Sequence, residues 1–209
     1  FTGEKGYEIF VRDSHVHAER VWEYLLEKGK SVDLTVISTA HHRRIAAGIL
    51  SWGQDMDFES SPFQVNLDYQ VPRKKTINYI GKEELERQRN MIEEGNFPFK
   101  MKMEGLVFGG KPVTDYAPDF WLIHSEDNFQ IGYITSPWWS PELQTNIAMG
   151  WVDIGYSALE TKLKVQLPDM YSIESNVAVD GEVVEIPFRE SVNPNVREKL
   201  KSNEPLNKS

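Results

Sequence analysis

The chain has 209 residues, 40% of them apolar and 26% charged, with a formal net charge of −9 and no cysteine. That composition fits a soluble globular protein of one large domain or two small ones, and the acidic balance speaks against a nucleic-acid binder. No apolar run approaches the roughly 18 residues that cross a bilayer, and the lack of cysteine removes disulfides, thiolate nucleophiles and thiolate-bound metals, as fits a cytoplasmic protein.

The first ten residues read as the middle of a protein. A turn with Gly3 and Gly6 leads straight into an alternating segment, Tyr7 to Val11, with no initiator Met, signal peptide or amphipathic leader before it. The alternation predicts a strand with Tyr7, Ile9 and Val11 toward the core and Glu8 and Phe10 on the other face. Glu8 then either faces solvent on a half-exposed sheet or lines a cleft. A helix is predicted from Ser14, as cap, to about Lys28, with Val21, Trp22, Leu25 and Leu26 in its apolar stripe and Gly29 just past its end. Val32, Leu34 and Val36 predict a short strand within Lys30 to Ile37. A second helix is predicted from about Thr39 to Trp52, ended by Gly53. Its first turns hold the dense cationic cluster His41-His-Arg-Arg44. Adjacent histidines diverge by about 100° on a helix and chelate one metal poorly, so the cluster is either a solvated face or an anion-binding helix start. Asp55 and Asp57 read as a solvated turn. Phe63 to Leu67 alternates like a strand, and a mixed-charge helix is predicted from Lys82 to about Glu93, stopping at Gly95.

From Phe97 the texture changes. Short β-prone runs, among them Phe99–Met103, Phe120–Ile123, Ile131–Thr135, Ile147–Val152, Leu163–Leu167, Ser172–Val179 and Val183–Ile186, are separated by Gly, Pro, Asp and Asn. Strands at this spacing predict an antiparallel barrel or sandwich. Asp180-Gly181 is suited to a two-residue hairpin turn. Trp138 and Trp139 are predicted on a loop stiffened by Pro137 and Pro141, where they either line a pocket or plug the end of the barrel. The predicted boundary lies near residue 96, and the tail 189–209 is polar. No Ser/His/Asp order, phosphate loop or dinucleotide fingerprint is present, and no metal-binding set is predicted.

Three stretches, in order, resemble the glycine-cleavage T-protein family of folate-dependent one-carbon transferases. They are Thr2-Gly-Glu-Lys-Gly-Tyr-Glu-Ile9, then Arg44-Ile-Ala-Ala-Gly-Ile-Leu-Ser-Trp-Gly-Gln-Asp-Met-Asp57 with Ile80-Gly-Lys-Glu-Glu-Leu85, and Gly132 to Val152. The resemblance implies an α+β fold: residues 1–95 as the C-terminal portion of a folate-binding α+β region, residues 96–188 as a C-terminal antiparallel β-barrel, and 189–209 as a tail. It implies tetrahydrofolate as cofactor, bound by Glu8, Trp138 and Trp139, with Phe1, Phe10 and Arg44 toward the substrate. A carboxylate at Glu8 suits the paired N–H donors of a pterin edge. In the family the Asp that assists proton transfer comes from the N-terminal half, so no catalytic residue is expected in this chain, and the absent half is its expected partner, beside a small methylated donor and, as an oligomer, a second copy. The T-protein proper carries Arg-Asp where this chain has Ala40-His41. Ser51-Trp-Gly-Gln-Asp55 and Pro62-Phe63 are more similar to the dimethylsulfoniopropionate demethylase branch. Related O-demethylases, aminomethyl transfer and a non-catalytic folate-binding module stand as alternatives. The family's iron–sulfur assembly branch carries a cysteine motif that this chain lacks.

Overall fold

The computed structural model describes residues 2–38, 40–73, 77–117, 119–174 and 177–188. Phe1, Thr39 and the tail 189–209 lie outside the described residues. Among the described residues three α-helices come first, α1 (Ser14–Gly29), α2 (His41–Ala46) and α3 (Lys82–Glu93), and six strands follow, β1 (Met101–Phe108), β2 (Trp121–His124), β3 (Gln130–Ser140), β4 (Thr145–Asp153), β5 (Lys162–Val165) and β6 (Val179–Val184). They close into a barrel in the order β1-β4-β3-β2-β5-β6, every neighbour antiparallel. The fold is thus α+β with an antiparallel barrel, as the family resemblance implies and as one of the two architectures that the strand spacing allows. Among the described residues no helix is long and apolar enough to cross a membrane.

The strand period of two sorts the apolar residues into two cores. Leu106 and Phe108 of β1 point into the barrel with Ile123, Ile134, Val152 and Leu163. Met103 and Val107, on the other face of the same strand, pack with Ile147, Met149 and Trp151 of β4 against Ile45 of α2 and Phe188. Burial on both faces explains why β1 and β4 are so continuously buried where a half-exposed strand would alternate.

Several sequence expectations are corrected. Tyr7 to Val11 is not a strand, and of its expected core-facing set Tyr7 and Ile9 are exposed, Tyr7 by 86%, while Val11 is half-buried. A strand needs a ladder partner for its N–H and C=O groups, and among the described residues none runs beside it. The same holds for Val32, Leu34 and Val36, which are exposed after a 3₁₀ turn at Lys30–Val32. α1 forms as expected, but its cap is Asp13 in a left-handed conformation without a side-chain hydrogen bond, and of its residues only Gly29 is buried. α2 is one and a half turns long because the helix ends at Gly48, with φ of 69°. There the Gly48 N–H donates to Ile45 O and the Ile49 N–H to Arg44 O, a left-handed C-terminal cap that glycine adopts without strain. Phe63 and Val65 are buried, yet their segment is a turn: Leu67 N–H closes onto Pro62 O.

In the barrel, Asp180-Gly181 is not a hairpin turn but the middle of β6. Gly181 lies opposite Phe108 on one side and Leu163 on the other, and a Cβ there would stand 2.8 Å from Leu163 Cδ1. The glycine serves close strand approach. One strand therefore replaces the two expected at Ser172–Val179 and Val183–Ile186. Trp138 and Trp139 sit on β3, not on a loop. Beyond Ile134, β3 pairs with β4 alone, so the missing N–H of Pro137 removes no ladder bond.

Candidate functional site

Where β3 changes from two partners to one, it carries a bulge. Ile134 lies opposite Gly150 and Ser136 opposite Met149, leaving Thr135 as the extra residue. In a regular strand consecutive side chains point to opposite faces, and a bulge re-aims them. Both hydroxyls here reach one atom: Thr135 Oγ1 and Ser136 Oγ each donate to Asp55 Oδ1 at 2.5 Å. Asp55 Oδ2 accepts from the Ser51 N–H at 2.7 Å and from Arg44 Nη1 at 2.8 Å. Arg44 also donates to Ile49 O at 3.1 Å and to Ser136 Oγ at 2.7 Å. Both side chains of the ion pair are 0% exposed. Gln54 Nε2 donates to Thr135 O, and the Trp151 indole N–H donates to Asp55 O. The result is a clamp that fixes the α2 segment and the turn after it to the bulged edge of the barrel.

His41 extends this clamp. Its Nδ1 accepts from Arg44 Nε at 3.4 Å, and its ring stacks on Trp138 at 5.8 Å and tilts against Tyr116 at 5.2 Å. Burial, then the positive charge of Arg44, push its pKa below the ordinary 6.5, against the weaker opposing pull of Asp55. The folded state therefore favours neutral imidazole, with the proton on Nε2 and Nδ1 as acceptor. The linked contribution to stability is present above the unfolded pKa of 6.5 and is lost as pH falls through the lower folded value. Urea denaturation at pH 7.5 and 5.5 should show wild type losing more stability on acidification than His41→Asn. An equal loss in both would show that His41 is not responsible.

The other expected residues are placed as follows. Arg44 is buried, and its guanidinium donates to Asp55, Ser136, Ile49, Gln54 and His41. Asp55, read from sequence as part of a solvated turn, is fully buried. Nothing local distinguishes it from exposed Asp57, because the bulge that receives it lies 80 residues away. Glu8 and Phe10 are exposed, Phe10 by 88%. Trp138 and Trp139 are half-buried. The N-terminal segment is held to α2 by Glu4, whose carboxylate pairs with Arg43 at 3.2 Å. No hydrogen bond joins Glu8 to a described residue. Phe1 lies outside the described residues.

Residues 1–75 match the family model of the GCVT N-terminal domain, and residues 98–189 that of the glycine cleavage T-protein C-terminal barrel domain. The aminomethyltransferase of Oceanobacillus iheyensis is 30% identical over 169 residues, 80% of this chain and 42% of that protein. That of Listeria innocua is 31% identical over 189 residues, 90% of this chain and 46% of that protein. The chain thus spans less than half the length of these relatives. The crystal structure of the glycine cleavage system aminomethyltransferase T from Bartonella henselae superposes on 72% of this chain and 38% of that one, with a TM-score of 0.53 and 19% identity, a likeness of fold. With one family domain matched before residue 76 and the next matched over the barrel, the chain belongs to the glycine-cleavage T-protein family.

Proposed function

We propose that this chain is the C-terminal portion of a tetrahydrofolate-dependent one-carbon transferase, divided near residue 96 into the end of the folate-binding α+β region and the barrel. The observation that carries the reading is the match of two consecutive family domains, in order, to one chain whose barrel is closed. Folate supplies N5 as acceptor of the one-carbon unit. The residues present fit such a ligand: Glu8 offers an exposed carboxylate for two pterin N–H donors, and Trp138, fixed against His41, offers an aromatic face with Trp139 beside it in sequence. Phe10 and Phe1 would line the donor pocket. Their work would be orientation and exclusion of water, and the Asp that the resemblance implies as assisting proton transfer would lie in an N-terminal half.

That half is the partner we infer. Tyr7, Ile9, Phe10, Trp22, Val32 and Leu34 are all more than half exposed, and such a half would cover them. The donor we favour is a small methylated cation such as dimethylsulfoniopropionate, in a cytoplasmic enzyme. Its methyl would pass to N5 as the sulfonium leaves as a neutral sulfide, and N5 loses its proton. The named relatives, all aminomethyltransferases, favour the second reading, an aminomethyl donor. The test is a folate titration of the full-length protein with a sulfonium and a glycine-derived amine as competing donors. Glu8→Ala should weaken folate about tenfold or more, the scale of a lost charged hydrogen-bond pair. Unchanged affinity would remove Glu8 from the site.

A further inference from the structure

We propose that the cleft between the Gly53–Ser60 turn and the outer wall of the barrel binds a small organic cation of the quaternary ammonium class. The cleft is open to solvent and has a volume of about 550 Å³, within the range of about 300–1,000 Å³ typical of small-molecule sites. None of Glu8, Phe10, Trp138 or Trp139 lines it, so it is separate from the folate reading.

Its walls are aromatic and fixed. Tyr133 of β3 lines it and stacks on Phe120 with ring centres 5.3 Å apart and planes 20° apart. Phe99 lines another side, braced edge-on by Phe97 at 5.4 Å. Trp151 lines it too, its indole N–H tied to Asp55 O at 2.9 Å. The rim is acidic. Asp57 is held by two contacts to one oxygen, Oδ1, from the Glu59 N–H at 2.9 Å and Ser60 Oγ at 3.2 Å, and Glu59 stands beside it. The charge of Asp57 reaches the aromatic wall: burial first, then Asp57, raise the Tyr133 phenol above its ordinary 10.0. Asp55, also in the lining, is neutralised by Arg44. Lys100 is the cation among the lining residues, against two carboxylates, Asp57 and Glu59.

The chemistry selects the ligand class. An anion meets two carboxylates. A neutral apolar molecule would cover those carboxylates without compensating them. A bare metal ion finds no group of three or more ligating side chains among the described residues. A methylated ammonium presents diffuse positive charge to ring faces and carboxylates together and has little hydration to lose.

The experiment is a titration of the 209-residue chain with choline, and with its uncharged carbon isostere 3,3-dimethylbutan-1-ol, followed by tryptophan fluorescence and NMR. Choline should bind saturably and about tenfold or more tighter than the alcohol, the scale of a cation over aromatic rings. Asp57→Asn, at an exposed position where the amide oxygen can keep accepting from Glu59 and Ser60, should weaken choline several-fold without changing the alcohol. Tyr133→Leu should weaken choline about tenfold. The proposal is overturned if choline does not saturate, if the alcohol binds equally well, or if Asp57→Asn leaves choline affinity unchanged. It is equally overturned if binding survives both cleft variants and is lost in Phe10→Ala.

Discussion

Arg44→Ala is expected to lower folding stability by about 3–5 kcal/mol, the cost of removing one partner from a buried ion pair. The Asp55 carboxylate would stay behind at 0% side-chain exposure, facing two hydroxyls and one backbone N–H, with no counter-charge. The loss extends past the pair. The Ile49 carbonyl, Ser136 Oγ and His41 Nδ1 each lose a donor. Arg44→Lys should recover only part, because one ammonium cannot address Asp55, Ser136, Ile49 and His41 at once as the guanidinium fork does. Replacing both ions, Arg44→Met with Asp55→Leu, should cost less than Arg44→Ala alone, since no charge remains buried. Urea unfolding followed by tryptophan fluorescence measures all three. A loss under about 1 kcal/mol for Arg44→Ala would mean the clamp admits water and acts as a surface pair.

The clamp also shows what the amino-acid order reveals and what it hides. α3 and most of the barrel strands are readable because their signals are local: a mixed-charge run with Gly95 after it, and short β-prone runs between turn residues. Arg44 was readable as important through its family segment, but its role was not. Its partners lie 11 and 92 residues away, and the bulge that turns Thr135 and Ser136 the same way leaves no trace in composition. Gly48 misled for a similar reason. Inside Ile45-Ala-Ala-Gly-Ile-Leu it fits a helical stripe, and only its positive φ reveals a terminus. Tyr7 to Val11 failed in the opposite sense. Its alternation is real, but a strand is a property of two chains side by side, and among the described residues nothing pairs with it. Glu8 and Phe10, which carry family signal, therefore stand exposed, while Asp55, at the centre of the clamp, reads in the sequence as part of a solvated turn.

Phe108→Ala is the second large expected loss, about 3–5 kcal/mol from the vanished transfer energy and the cavity left behind. Phe108 is 0% exposed and meets Trp121 edge-on at 6.2 Å and 86°. Its strand is held on both sides, by β4 through Asn146 and by β6 through Gly181. Gly181 brings β6 close, so the backbone has little room to collapse into the void, and little relaxation places the cost toward the upper end of that range. Phe58 is the contrasting ring. It is 95% exposed and touches Trp52 edge-on at 4.8 Å, so Phe58→Ala should change stability by about 1 kcal/mol or less. Denaturant unfolding of both variants should separate them by at least about 2 kcal/mol. Equal losses would mean that the barrel interior is not the main source of stability, and that the exposed ring belongs to a surface already packed in the isolated chain. The contrast then bears on the proposed partner: if Phe58→Ala becomes costly only when an N-terminal half is supplied, that half covers the ring.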